Sequence, residues 1–141
     1  MSVSIEIKGI NKLMAKLSRA AAIDVLEPPM QRAVFRVQAR MADYPPQRPG
    51  SSYIRGYGFK GGPRTSERLG QRWTTRVIRE ANGLTGKVGN SASYGPLVQS
   101  KKFQAKIHRG RWQTDEQVLN EELPAIRRDF EQAVDEALKG R

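Results

Sequence analysis

Apolar and polar positions along the chain recur with two different periods, and each change of period marks an element. Val3, Ile5 and Ile7 alternate with Ser4, Glu6 and Lys8, the period of two that gives a strand one buried face. Gly9 ends it. Ile10, Leu13, Met14 and Leu17 then recur at helical spacing behind Asn11 as N-cap, which predicts a short amphipathic helix that Ala20-Ala21-Ala22 prolongs or leads onward. Glu27 precedes a proline and is pushed out of the α region, whereas prolines fit a first helical turn, so a long helix is predicted over about 28–43. Met30, Val34, Val37 and Met41 are its core stripe, and Tyr44-Pro45-Pro46 stops it.

The second half carries the sheet. Trp73, Thr75 and Val77 alternate with Arg72, Thr74 and Arg76, Asn82-Gly83 supplies a type I′ turn, and Leu84, Gly86 and Val88 lead back, predicting a hairpin over about 72–90. A junction follows at Ser91–Gln99, where Tyr94, Leu97 and Val98 are read as apolar anchors and Gly95-Pro96 as a tight turn into a short helix. Phe103, Ala105 and Ile107 alternate with basic residues, predicting an edge strand over about 102–108. Thr114-Asp115-Glu116-Gln117 is a capping box opening a C-terminal helix over about 115–139. Leu119, Leu123, Ile126, Phe130, Val134 and Leu138 form its stripe; Pro124 is expected to kink or restart it, and Arg127 to pair with Glu131. The expected fold is therefore α+β: one domain over 1–141, with a small antiparallel sheet packed against a long helix and a C-terminal helix.

Residues 44–66 fit no regular element. Pro45, Pro46, Pro49 and Pro63 alternate with Gly50, Gly56, Gly58, Gly61 and Gly62, which predicts a flexible arm made adhesive by Arg48, Tyr53, Arg55, Tyr57, Phe59, Lys60 and Arg64.

Charge adds direction to this layout. The chain has 25 Lys and Arg against 14 Asp and Glu, a net charge of +11 that favours anionic partners. It is unevenly placed: residues 101–111 hold five basic side chains (Lys101, Lys102, Lys106, Arg109 and Arg111) and no acidic one, whereas residues 112–141 hold four basic and eight acidic. Opposite charge in different stretches of one chain can steer copies towards each other.

Candidate chemistry is thin. With no cysteine the chain has no disulfide, thiolate metal site or cysteine nucleophile, and His108, the one histidine, lacks the company of a zinc site. Gly56-Tyr57-Gly58-Phe59-Lys60-Gly61 fits a G-x-G-x-x-G string without the strand, helix and acidic residue that a dinucleotide site requires. Arg55-Gly56-Tyr57-Gly58-Phe59 opens like an RNA-recognition octamer, but Lys60 stands where a buried valine belongs and Gly62 where the last aromatic belongs. Ser91, Ser93 and Ser100 have no positioned base, so no enzyme and no cofactor is expected. No stretch reaches the length of about 18 apolar residues that spans a bilayer, and the N-terminus lacks a signal-peptide core, so a protein made in the cytoplasm and independent of membranes is expected.

Three stretches, in their order and spacing, carry a resemblance: Ile5-Glu6-Ile7-Lys8-Gly9-Ile10-Asn11-Lys12-Leu13, the segment Thr65–Val77 with its Leu69-x-x-x-Trp73, and Val88-Gly89-Asn90-Ser91-Ala92-Ser93-Tyr94-Gly95-Pro96-Leu97-Val98. The chain resembles the neck or tail-completion proteins of long-tailed bacteriophages, also described as minor tail or head–tail joining components. It departs from them at Thr65-Ser66-Glu67-Arg68-Leu69, where the family has Thr-Gly-x-Leu, and at Gln99-Ser100-Lys101-Lys102, where it often has Phe-Gly-Thr. The resemblance implies a virion structural protein, assembled in the host cytoplasm, forming a sixfold or twelvefold ring between the portal-side connector and the tail tube or tail terminator. Arg48, Tyr53, Arg55, Tyr57, Phe59, Arg64, Lys101, Lys102, Lys106, Arg109 and Arg111 are then the expected interface, and Trp73, Tyr94, Pro96, Leu97 and Val98 the structural junction. A basic nucleic-acid-binding protein is the alternative, and non-specific DNA contact is expected of either.

Overall fold

Packing, more than local propensity, decides where the elements begin and end. The computed structural model describes residues 1–7, 15, 17–46, 53–54, 58–59, 68–80 and 83–139, with 19–20, 53–54, 58–59 and 68 described by backbone alone. Among them lie strands β1 (Ser2–Ile7), β2 (Tyr53–Ile54), β3 (Gly58–Phe59), β4 (Trp73–Glu80) and β5 (Gly83–Asn90). The helices are α1 (Arg19–Ala42), the single turns α2 (Arg68–Gln71) and α3 (Gly95–Gln99), and α4 (Asp115–Lys139). The fold is α+β, a three-stranded antiparallel sheet packed against α1 and α4, as the sequence predicts.

The sheet has the order β1-β5-β4, so the hairpin's second strand is central. Register Val3↔Val88↔Thr75 and Ile5↔Gly86↔Val77 puts the predicted apolar sets of all three strands on one face, beneath α1. Glu80 pairs with Gly83, so the two residues joining the strands are Ala81 and Asn82, one position earlier than the Asn82-Gly83 signal. In the central row Gly86 leaves the space that α1 fills: a Cβ there would stand 2.5 Å from Val34 Cγ1 and 2.6 Å from Met30 Sδ. Helix and sheet approach closely at this point.

α1 starts at Arg19, well before the predicted Pro28. Ser18 caps it, accepting the Ala21 N–H at 3.2 Å, and Pro28 and Pro29 lie inside. Both prolines deprive the preceding turn of a helical hydrogen bond. The reason the helix continues is its stripe: Ala22, Ile23 and Leu26 are buried in line with Met30, Ala33, Val34, Val37 and Met41, one unbroken apolar face across the prolines. The Ala20–Ala22 run thus belongs to the long helix, while the short helix predicted over 10–17 lies almost wholly outside the described residues.

α4 likewise runs through Pro124 without restarting. Thr114 accepts the Gln117 N–H at 3.2 Å, half of the predicted capping box; the Gln117 side chain turns forward to Glu121 instead. Val118 and Ile126 are fully buried, with Leu119, Phe130, Val134 and Leu138 packed against the same core. A ladder of ion pairs closes the seam, Arg32 to Asp129, Arg36 to Glu122 and Asp129, Arg40 to Glu121 and Glu122, and its descending numbers make the two long helices antiparallel. The expected Arg127–Glu131 pair is not formed; both side chains are exposed.

The segment 102–108 is not an edge strand. It folds as turns and a 3-10 turn at Lys106–His108, because the Gln104 side-chain amide donates to the carbonyls of Val98 (2.7 Å), Trp112 (3.1 Å) and His108 (3.4 Å) and gathers the chain around itself. An extended strand would leave those carbonyls apart.

Candidate interaction surface

The arm's described ends and the basic segment meet at one place. Tyr44 packs edge to face on Trp112, ring centroids 5.0 Å apart, and its hydroxyl accepts the Gly70 N–H at 2.9 Å. Arg111 donates to the Pro46 carbonyl at 2.9 Å. The chain therefore enters residues 47–67 beside Trp112 and returns, at Gly70, to the same tyrosine. Of the interface residues predicted on this arm, Arg48, Arg55, Tyr57 and Arg64 lie outside the described residues. Tyr53 and Phe59 are backbone partners in the ladder of β2 and β3, a short regular element in a stretch where none is predicted.

Beneath this root lies a second small core of Leu69, Ala92 and Val98, with Trp112 packed against it. It is stapled by polar side chains. Buried Asn90 donates to the Leu69 carbonyl at 2.7 Å and accepts the Ala92 N–H at 2.8 Å, fixing the turn out of β5. Gln99, fully buried, donates to the Met41 carbonyl at 3.0 Å. Asn90, Gln99 and Gln104 do the positioning that the sequence reading gave to apolar anchors; their signal is an amide side chain inside an otherwise apolar or basic run, visible only as an exception to the pattern.

The junction residues divide. Trp73 is buried in the main core and Val98, 8% exposed, in the small one, with Pro96 half-buried. Tyr94 and Leu97, however, are 43% and 54% exposed and do not anchor the junction. Tyr94, Leu97 and Val98 have the i, i+3, i+4 spacing of one helix face, but Tyr94 is the N-cap, and the helix turns the neighbouring set Gly95, Val98 and Gln99 inward.

The basic segment bears the predicted cations outward. Lys101, Lys102, Lys106 and Arg109 are exposed and pair with no carboxylate, while Arg111 is half-buried and spent on Pro46. Two large apolar side chains stand exposed among them, Phe103 at 57% and Ile107 at 64%, and Lys102 Nζ lies 5.2 Å over the Phe103 ring. Between this segment and the first turns of α4 runs an open groove of about 1060 Å³, with Lys101, Arg109, Arg111 and Trp112 on the segment side and Glu116, Gln117 and Glu121 on the helix side. Opposite charges face each other across it, so it is built for neither an anion nor a cation.

Arg40 binds two residues of the groove's lining, Gln113 and Glu121. It binds Glu121 Oε2 at 2.6 Å and Glu122 Oε1 at 3.1 Å, and donates to the Gln113 side-chain oxygen. The hydrogen bond from Arg40, with a second from Gln117, holds the Glu121 carboxyl below the ordinary glutamate range, and the same bond raises Arg40. Part of the acidity of the C-terminal segment is thus neutralised within the fold. Among the described residues there is no cluster of three metal-ligating side chains, and no helix long and apolar enough to cross a membrane.

In comparison with known proteins, no family model, no curated protein and no solved structure matches the chain.

Proposed function

We propose that the chain is a virion structural protein, a ring-forming subunit that joins the portal-side connector to the tail of a tailed phage or prophage. One observation carries the reading beyond the resemblance of its motifs: the root of the Gly/Pro/Arg-rich arm and the exposed cationic segment are tied together at one end of the domain by Tyr44, Trp112, Gly70, Arg111 and Pro46. Two adhesive elements on one rigid base suit a subunit that grips neighbours on both sides. Its partners are further copies of itself, the connector, and the tail-tube or tail-terminator protein.

A nucleic-acid-binding protein is the second reading, favoured by the four exposed cations of the basic segment that no carboxylate neutralises. The two separate in one experiment. As an assembly subunit, the chain binds free DNA only non-specifically, with a dissociation constant of roughly 10⁻⁴ to 10⁻⁶ M at physiological salt. The Arg55/Tyr57/Phe59→Ala variant then stays folded but no longer joins heads to tails in a particle-assembly assay. Tight binding to a defined RNA or DNA, lost in that variant while particles assemble normally, overturns the proposal.

A further inference from the structure

The sheet has a second face, turned away from α1. Arg79 of β4 pairs with Asp24 and Glu27 of α1, and Gly86 of β5 lies under Val34, so the odd positions of β4 and the even positions of β5 face the helix. The register puts the other side chains outside in rows, Ser2↔Gly89↔Thr74, Ser4↔Lys87↔Arg76 and Glu6↔Thr85↔Ile78. Arg72 and Ser91, joined by the Ser91 N–H to Arg72 carbonyl bond, continue the alternation beyond Thr74. The side chains of the first two rows are exposed, as are Arg72 and Ser91. A Cβ on Gly89 would meet, beyond its chain neighbours, nothing nearer than the Met1 carbonyl oxygen at 3.4 Å. The third row closes the face: Thr85 is buried and donates to Glu80 at 2.7 Å, and both carboxylates of this face, Glu6 and Glu80, belong to that end.

In the open rows Arg76 and Lys87 stand directly opposite each other across β4 and β5, a like-charge pair that weakens a sheet. Nothing relieves it. Among the described residues, the side chains of Arg72, Arg76 and Lys87 form no ion pair and no hydrogen bond, and the hydroxyls of Ser2, Ser4, Thr74 and Ser91 have no partner in the protein. These cations and hydroxyls have no carboxylate among them and no apolar group beyond the Thr74 methyl.

That composition selects the partner. Protein interfaces anchor on aromatic and other large side chains packed into pockets, single-stranded nucleic acid on aromatic rings that stack with bases, and membrane surfaces take up apolar side chains. The open rows offer no aromatic or large apolar side chain. Cations, hydroxyls and uncovered backbone are the groups that contact the phosphates of a duplex and position it without reading its sequence. Arg72 and Arg76 lie about 13 Å apart at the rise of a strand. The phosphates of one DNA strand follow every ~3.4 Å of duplex axis, so the face meets several of them.

We infer that the open rows of the sheet's outer face bind the phosphate backbone of duplex DNA. The non-specific DNA contact expected of the chain then falls on the sheet and not on the basic segment, whose exposed Phe103 and Ile107 suit a protein contact. The inference does not rest on the ring reading.

Two neutralised variants of equal charge test it, Arg76→Gln with Lys87→Gln on the sheet and Lys102→Gln with Lys106→Gln on the basic segment, all at exposed positions where the fold tolerates exchange. The probe is a short fluorescent duplex of mixed sequence, followed by anisotropy over a salt series. The sheet variant should bind at least roughly tenfold more weakly at ~0.1 M salt and lose about two from the slope of log affinity against log salt, about one for each phosphate contact. The segment variant should lose less than about one. The denaturant midpoint of the sheet variant should hold or rise, since a like-charge pair is gone, so its loss reads as binding and not as unfolding. Equal losses in the two variants, or an unchanged slope in the sheet variant, overturn the inference. So does a parent chain that holds polyglutamate more tightly than the duplex, which makes an acidic protein the partner. The ring reading fails separately, if heads join tails in particles lacking the protein.

Discussion

Gln99 donates its side-chain amide to the main-chain carbonyl of Met41 at 3.0 Å, and both side chains are sealed from water. Met41 lies in the last turn of α1, where carbonyls have no helical partner, so the glutamine completes the helix and ties the end of α3 to it. Replacing Gln99 by Leu keeps the volume but strands that carbonyl. The expected loss is about 1 to 2 kcal/mol, less than the full cost of an unpaired buried group because Gln99 Oε1 itself has no partner. Urea denaturation measures it, and an unmoved midpoint would show that the bond is dispensable.

Gly86 is where α1 rests on the sheet. Gly86→Val drives a side chain into Val34 Cγ1, which its branched Cβ cannot swing aside, and should cost about 3 kcal/mol. Adding Val34→Ala should return part of that loss in thermal unfolding, since the two positions compete for one space. Simple additivity of the two changes would place the clash elsewhere.

These two positions illustrate what the sequence discloses. Gly86 is legible as a strand position because its neighbours Leu84 and Val88 keep the alternation, and the whole hairpin was read from that rule. The partners of Gln99 were not legible, because nothing local places residue 99 beside residue 41. The start of α1 is misplaced in the sequence for a related reason: a proline pair reads locally as the first turn of a helix, and only the buried stripe Ala22–Leu26 outweighs it. In the candidate surface the cations were evident as a run, but Phe103 and Ile107, alternating like strand residues, gave no sign that Gln104 would curl the segment and leave them exposed.

The Glu121 carboxyl, held low by Arg40 and Gln117, sets an acid limit on the α1–α4 seam. A group with a depressed folded value contributes its stability above the ordinary glutamate range and loses it as pH falls through the folded value. Stability should thus decline as acid is added below that range. In Glu121→Gln the decline should be shallower, with little change in its slope near neutrality; identical profiles for variant and parent, followed by denaturant midpoint against pH, would count against the Arg40 bond.

The junction can be dissected by one pair of variants. Val98→Asp puts an unpaired charge into the cluster of Leu69, Ala92 and Trp112 and should cost several kcal/mol, about 3 or more. Tyr94→Ala, at an exposed ring, should lie within about 0.5 kcal/mol of the parent. Circular dichroism during chemical denaturation distinguishes them, and a large effect at Tyr94 would restore it as an anchor.

The clasp of Tyr44 on Gly70 has a consequence for how such a protein can diverge. Exit and return of the chain are held by one side chain, so the ends of the stretch between them are fixed by the domain. Doubling its length costs only about 0.6 kcal/mol in closure entropy. Insertions between positions 47 and 67 should therefore leave the sheet, the two long helices and the cationic segment in their places, which circular dichroism and denaturant midpoint of such variants would check.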